Sequence, residues 1–280
     1  RLRESAAAYA ARLADLEKKR DAEWERIAQE AHAVVEEDFE TQCQTHTSLE
    51  THGVVCDWDG DKLLCYASTQ ATFNVQRELR GAAGAGDVRV LPENLGGGFG
   101  SKFSAGVEGV TGATHAKEAG RPVKMMLDRR EEHTSGGNRP DSIQKIKMAV
   151  AKDGTILGYR ARVWGTPGSG AWGAGARNDT MYELRQVDKL EYGVRTTTGS
   201  LRAMRAPGWP QGGYAREQMM DIAAEKLGMD PLAFRKLNDQ HLVRPYEFEI
   251  GAERIGWKKR KKRAGADRGA ARGVHCIEEV

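Results

Sequence analysis

Residues 1–37 contain no Gly or Pro, and Tyr9, Leu13, Leu16, Trp24, Ile27, Ala31 and Val34 recur at near three- and four-residue spacing. That spacing lays one apolar stripe along a helix. It predicts a helical linker over 1–37, roughly 55 Å long at 1.5 Å per residue, with Glu17 to Asp21 on its wet face. From Asp38 the pattern shortens. Val54–Trp58 and Leu63–Ala67 flank Asp59-Gly60-Asp61, and Ile143–Ala151 and Thr155–Trp164 flank Lys152-Asp153-Gly154. Both read as hairpins. The second mixes apolar and polar residues on each face, so burial on both faces is allowed. Val88–Leu91, Val123–Leu127 and Val187–Thr198 read as strands, Pro167–Gly175 as a glycine-rich loop. Helices are expected over Gln70–Leu79, Ser104–Gly120 and Gln211–Lys226, with Pro231 opening a short one. Hairpins mixed with helices give an α+β fold: mixed sheets and packed helices, preceded by the long N-terminal helix.

Composition narrows the class without naming a function. Of 280 residues, 39% are hydrophobic and 30% charged, enough for a real core in one large or two small domains. No run approaches the roughly 18 apolar residues of a membrane span, and the charged N-terminus lacks the apolar core of a secretory signal. A cytoplasmic location is expected. Arg1 at the head of the chain reads as a fragment or a processed product. Cys43, Cys56, Cys65 and Cys276 have no metal-ligand spacing, which favours reduced thiols. The net charge is +3, yet residues 251–280 hold nine Lys or Arg against four acids, so the rest of the chain is slightly acidic. The run Lys258 to Arg263 lacks interleaved aromatics and reads as a solvated basic tail, with nucleic acid not the expected partner.

The chemistry concentrates in four blocks. Gln44-Thr45-His46 begins the first, which runs on to Glu50-Thr51-His52. Gly96-Gly97-Gly98-Phe99-Gly100-Ser101-Lys102 follows a strand and precedes a helix. Glycines there let the backbone approach a large ligand, and strand-to-helix loops offer N–H groups to anions. The spacing matches neither the dinucleotide fingerprint nor the P-loop. The third block is Arg202-Ala203-Met204-Arg205-Ala206-Pro207-Gly208, and the fourth runs from Glu217 through Leu227-Gly228-Met229-Asp230-Pro231 to Phe234-Arg235. In this order the blocks resemble the molybdopterin-binding large subunit of the xanthine dehydrogenase and aldehyde oxidase family, the molybdenum hydroxylases, over about residues 38–240.

The resemblance implies roles that the residues alone leave open. Gln44 matches an active-site glutamine whose neutral amide hydrogen-bonds an oxygen of the metal centre; by itself it reads as a strand-end amide. Gly97, Gly98, Phe99 and Gly100 match the loop that lies against the pterin; otherwise they form a tight turn with Phe99 in the core. Arg205 matches the active-site arginine, fit to hold an anionic ligand or developing negative charge. Gln44 and Arg205 are thus the catalytic candidates. His46, Glu50 and His52, alternating along a strand, share one face, but the family holds its metal through the pterin, so hydrogen bonding is the preferred role and no protein metal ligand is expected. Arg202 reads as a surface charge; Asp221, Glu225, Asp230 and Arg235 read as helix-face charges and caps. Purine-oxidising members carry an acidic residue after the loop lysine and a phenylalanine after the arginine segment. Here Phe103 and Pro207 stand there, which tilts the pocket towards an apolar or aromatic substrate.

Residues 38–240 would accordingly be a first molybdopterin-binding domain and 241–280 a basic tail. The resemblance implies an oxidoreductase that hydroxylates an aldehyde or aromatic N-heterocycle at a molybdenum–molybdopterin centre, in the cytosine dinucleotide form common among bacterial members. Iron–sulfur and flavin signatures are missing, so 2Fe–2S clusters and FAD are expected on partner chains, with a second molybdopterin-binding chain also in view. Glu278 and Glu279 lack the glycine-rich setting of the family's general-base glutamate, so this chain alone is expected to turn nothing over. The rival reading is a non-catalytic assembly protein derived from that family, working through its long helix and basic tail.

Overall fold

The computed structural model describes residues 6–169, 176–178 and 181–259. Helix α1 spans Ala6–Glu30 and then stops, because β1 (Ala33–Thr41) begins the first sheet. The expected helix over 1–37 is thus corrected at its C-terminal end. Val35 is buried and Phe39 half-buried along β1, while Glu36 and Asp38 point outward to Lys147 and Lys145 of the neighbouring strand. Alternation of this kind belongs to a half-buried strand, and strand pairing decides it. Among the described side chains of α1 only Trp24 and Ile27 are buried, against Ala149 and Leu157, and Leu13 and Leu16 stay exposed. The Arg160 guanidinium lies over the Trp24 ring at 5.2 Å and bonds Asp21 and the Arg20 carbonyl, fastening that end of the helix.

The first sheet has the order β1-β8-β9-β10, with β8 at Ser142–Val150, β9 at Ile156–Gly165 and β10 at Val187–Gly193. Helix α5 (Trp209–Leu227) packs on it. Ala215, Met219, Met220 and Ala223 meet Ile146, Met148, Tyr159 and Val163 in the larger core. With α1 on the other face, the turn end of the β8–β9 hairpin is buried on both sides. At its open end the polarity inverts: Ile143 is exposed and Gln144 wholly buried, its amide bonded to the Gln211 carbonyl, the Ser142 hydroxyl and Asn178.

The second sheet has the order β5-β4-β3-β6: β3 is Gly53–Asp59, β4 Lys62–Ala67, β5 Asp87–Leu91 and β6 Val123–Met126. The Asp59–Lys62 hairpin forms as its turn residues predict, and α2 (Thr72–Ala83) returns the chain so that β5 runs parallel to β4. With α3 (Gly106–Ala119), α2 covers a core of Val54, Leu63, Val75, Leu79, Val88 and Ala113. Cys56 and Cys65 sit opposite each other in that core as free thiols, their sulfurs 3.6 Å apart. Helix α4 (Arg129–Ser135) follows β6.

Helix α6 (Pro231–Asn238) is capped by Asp230, whose Oδ1 accepts from the Leu232 and Ala233 N–H groups. Arg235 corrects its reading as a helix-face charge. It is 3% exposed, with Nε on Glu217 at 2.9 Å and Nη1 on Asp221 at 2.6 Å. The buried guanidinium is paired on both sides, as a buried charge must be. The expected basic tail starts as a helix, α7 (Arg244–Arg254). Residues 260–280, with most of the basic run, Cys276, Glu278 and Glu279, lie outside the described residues, as do 170–175 of the predicted glycine-rich loop. Among the described residues no helix is long and apolar enough to cross a membrane.

Candidate functional site

A two-strand ribbon lies between these sheets: β2 (Gln44–Thr45) pairs antiparallel with β7 (Asn138–Arg139), Gln44 opposite Arg139. The glycine loop, residues 96–101, connects β5 to α3. Phe99 is left-handed at φ +50° and 46% exposed, so it is not the core residue that an ordinary turn would make it. Gly97 and Gly100 also have positive φ, at +97° and +104°. A Cβ on Gly100 would overlap the Ala203 carbonyl, whose carbon would be 2.7 Å away. Only glycine lets the two backbones touch there.

Buried groups beneath the loop hold it in place. The Lys102 ammonium, wholly buried, donates to the Glu50 carbonyl at 2.7 Å and the Ser68 hydroxyl at 2.6 Å, with the Glu50 carboxylate at 3.4 Å. Glu50 in turn accepts from Ser68 and from the Gly96 N–H, both at 2.7 Å. Burial pushes the Glu50 carboxyl upward, but bonds from Ser68, Gly96 and Lys102 outweigh it and hold the group below its ordinary value. Burial pulls Lys102 downward against the attraction of Glu50. The Gln70 side-chain oxygen accepts from the Gly100 N–H at 2.7 Å.

Arg205 meets this loop directly: its N–H donates to the Phe99 carbonyl at 2.8 Å. Its own carbonyl accepts from Arg139 Nη2 at 2.7 Å, and Arg139 Nη1 reaches Gln211 at 3.0 Å. Arg139, 6% exposed, therefore joins the strand partner of Gln44 to the backbone of Arg205. Sequence reasoning missed it, since nothing around Asn138-Arg139 marks a buried arginine. The structure thus brings Gln44, the glycine loop and Arg205 into one region, with Gln44 and the Arg205 side chain exposed.

His46, Glu50 and His52 do not share a strand face. Thr47 adopts φ +48°, and the chain from 46 to 52 is not extended. Each takes separate partners. His46 Nε2 donates to the Ala203 carbonyl at 2.6 Å, and burial holds that imidazole below its ordinary pKa. Both the backbone N–H and Nδ1 of His52 bond Glu132 Oε2, at 2.8 and 2.7 Å. Burial raises Glu132, yet the two His52 bonds prevail and keep its carboxyl low. Among the described residues no group of three His, Cys, Asp or Glu could hold a metal. Arg202, read as a surface charge, instead reaches the Ser101 carbonyl at 3.1 Å and His52 Nε2 at 3.3 Å.

The donor set suits a large, anion-bearing ligand with a polar edge. The N–H groups of Gly97, Gly98 and Phe99 donate to no atom of the described protein, and the buried Ser48 hydroxyl beside Gly97 has no partner. A glycine loop with free N–H donors can cradle such a group by backbone alone, so these residues fit a pterin cofactor. An open groove of about 710 Å³ shares no residue with this region; it is lined by Asp230, Leu232, Leu237, Trp257 and Lys258 among others.

Comparison with known proteins gives this geometry a lineage. The molybdopterin cofactor-binding domain family matches residues 8–239. The aldehyde oxidoreductase molybdenum-binding subunit PaoC of Escherichia coli (strain K12) is 30% identical over 257 residues, which cover 82% of this chain and 34% of that protein. Xanthine dehydrogenase of Drosophila pseudoobscura pseudoobscura is 32% identical over 228 residues, 75% of this chain and 17% of that one. Among solved structures, the aldehyde oxidoreductase from Desulfovibrio gigas superposes with a TM-score of 0.70 at 26% identity, over 84% of this chain and 29% of its own. Quinoline 2-oxidoreductase from Pseudomonas putida 86 gives 0.74 at 21% identity, over 83% and 34%, a likeness of fold. The chain spans about a third of the length of the bacterial aldehyde oxidoreductase subunits it matches.

Proposed function

The chain belongs to the molybdopterin cofactor-binding domain family, and from that premise we propose that it forms one cofactor-binding part of a molybdenum hydroxylase-type oxidoreductase. The single observation that carries this reading is the Phe99–Arg205 backbone bond, which seats the glycine loop on the arginine segment beside the Gln44 strand. When bound, the cofactor supplies two-electron oxidation of the substrate carbon. The chain supplies binding and orientation. N–H groups of Gly97, Gly98 and Phe99 would hold the pterin edge, the Gln44 amide would donate a hydrogen bond at the reacting centre, and the Arg205 guanidinium would face negative charge as it develops.

We take the substrate to be an aldehyde or an aromatic N-heterocycle. Phe103, not an acidic residue, follows Lys102 in the chain, and Phe99 and Phe103 are both partly exposed, an apolar setting without the acidic residue that reads a purine at that position. The same reading assigns the cytosine dinucleotide form of the cofactor, electron transfer to iron–sulfur and FAD-bearing partner chains, and a cytoplasmic setting. The test is elemental analysis of the full-length protein purified with its partners. About one molybdenum per chain, with dye reduction driven by benzaldehyde or quinoline, is the expected result. A complex without molybdenum overturns it.

A further inference from the structure

His52 is a buried group with several polar contacts at the root of the loop, and nothing in the proposed chemistry uses it. Its ring is 1% exposed, so every polar contact it makes is with protein. Nδ1 meets Glu132 of α4 at 2.7 Å, while Nε2 lies 3.2 Å from the Ser101 carbonyl and 3.3 Å from Arg202 Nη1. The two Nε2 contacts exclude each other: the Ser101 carbonyl only accepts and would need a hydrogen on Nε2, whereas Arg202 only donates and needs its lone pair. Because Arg202 Nη1 already serves the Ser101 carbonyl and the Glu132 carboxylate takes a hydrogen from Nδ1, the ring hydrogen is assigned to Nδ1 and the Nε2 lone pair to Arg202. Arg202 Nη1 also donates to the Ser101 carbonyl at 3.1 Å. One imidazole and one guanidinium thus close a small circuit around the root of the glycine loop.

That circuit matters because of what hangs from each end. Ser101 closes the loop, its N–H and hydroxyl both donating to the Gly98 carbonyl at 2.9 and 2.8 Å. Arg202 opens the run to Arg205, its own N–H bonded to the Asn138 carbonyl of β7 at 3.0 Å. Loop and arginine segment are therefore joined twice: at the exposed tip by the Phe99–Arg205 bond, and at the buried root through His52 and Arg202. Two attachments fix an angle where one would leave a hinge. We propose that His52, oriented by Glu132, is a positioning residue that acts through Arg202 to set the glycine loop against the arginine segment, and so places the cofactor relative to Gln44 and Arg205. The proposal rests on the functional reading above and adds to it the part that fixes its geometry.

Three variants of the full-length protein test this: His52→Asn, which keeps an N–H for Glu132 but loses the lone pair for Arg202; Arg202→Gln; and the double variant. Amide hydrogen exchange at Ser101 and Arg205 is expected to rise about tenfold in each single variant, the scale of losing one buried hydrogen bond to a charged group. The double variant should go no further than Arg202→Gln, which already removes both the one contact that His52→Asn breaks and the Arg202–Ser101 bond, and β8 and β9 amides should stay as slow as in the wild type. In protein loaded with molybdenum, the paramagnetic resonance signal of the dithionite-reduced metal should shift in all three. Unchanged exchange at Ser101 and Arg205, or additive effects, overturns the proposal. So does altered exchange with an unshifted signal, which would make the circuit structural only. If His52→Asn does not fold, Glu132→Gln takes its place: it removes the carboxylate that orients the His52 ring while leaving the Arg202–Ser101 bond, and unchanged exchange in that variant overturns the proposal. A wild type without molybdenum fails the functional reading and the positioning role together, and the exchange data tell that result apart from failure of the circuit.

Discussion

Gly100→Ala is expected to leave the assembled enzyme without molybdenum, at less than a tenth of wild-type occupancy by elemental analysis. Gly100 sits at φ +104°, where a side chain is strained whatever the space around it. The space is also taken: a Cβ meets the Ala203 carbonyl, which is backbone and cannot rotate aside. Left-handed conformation alone costs a non-glycine residue roughly 1–2 kcal/mol, and the overlap adds to it. The relief available is to part the loop from residues 202–206, which breaks the Phe99–Arg205 bond and spoils the cradle. Gly81, in α2, provides the control. A Cβ there meets nothing within 4 Å and the backbone is not left-handed, so Gly81→Ala should keep wild-type metal content. A fully loaded Gly100→Ala enzyme would show that the loop does not face the cofactor. Thermal unfolding of the same samples separates a local defect from global collapse, since the second sheet's core of Leu63, Leu79 and Val88 is untouched.

The features that were legible in the sequence are those that local chemistry decides. Asp59-Gly60-Asp61 and Lys152-Asp153-Gly154 turn the chain by themselves, and both hairpins formed where expected. Asp230 caps and Pro231 starts α6 for equally local reasons. Residues 31–37 went the other way. Ala31 and Val34 fit a helical stripe as well as Val35 and Phe39 fit a strand, and pairing with β8, a hundred residues on, settles it. At the site, the blocks were readable and their connections were not. Alternation from His46 to His52 presumes an extended chain, and the left-handed Thr47 breaks it. Arg139, Arg202 and Arg235 look like any surface arginine in sequence. Arg139 and Arg235 are buried and Arg202 half-buried because carbonyls and carboxylates from distant segments bond them, which no spacing rule detects.

Gln44→Ala isolates the chemical step. Gln44 is exposed, and its backbone pairing with Arg139 survives loss of the side chain, so folding and molybdenum content should stay near wild type. On the proposed function, what disappears is a neutral donor aimed at charge that develops as the substrate is oxidised. Removing one such donor costs about 10²–10³ in kcat, or roughly 2.7–4 kcal/mol. The expected result in the assembled enzyme is a fall of that size in kcat at saturating benzaldehyde, with KM little changed, because the lost bond belongs to the transition state and not to substrate binding. Gln44→Glu sharpens the test. The carboxylate has nearly the same shape but, when ionised, only accepts, and it brings a negative charge to a site that must stabilise one. It should be at least as slow as Gln44→Ala. If Gln44→Glu retains wild-type turnover, shape and not donation is what position 44 supplies; if both variants do, Gln44 takes no part in the reaction, and the catalytic weight shifts to Arg205.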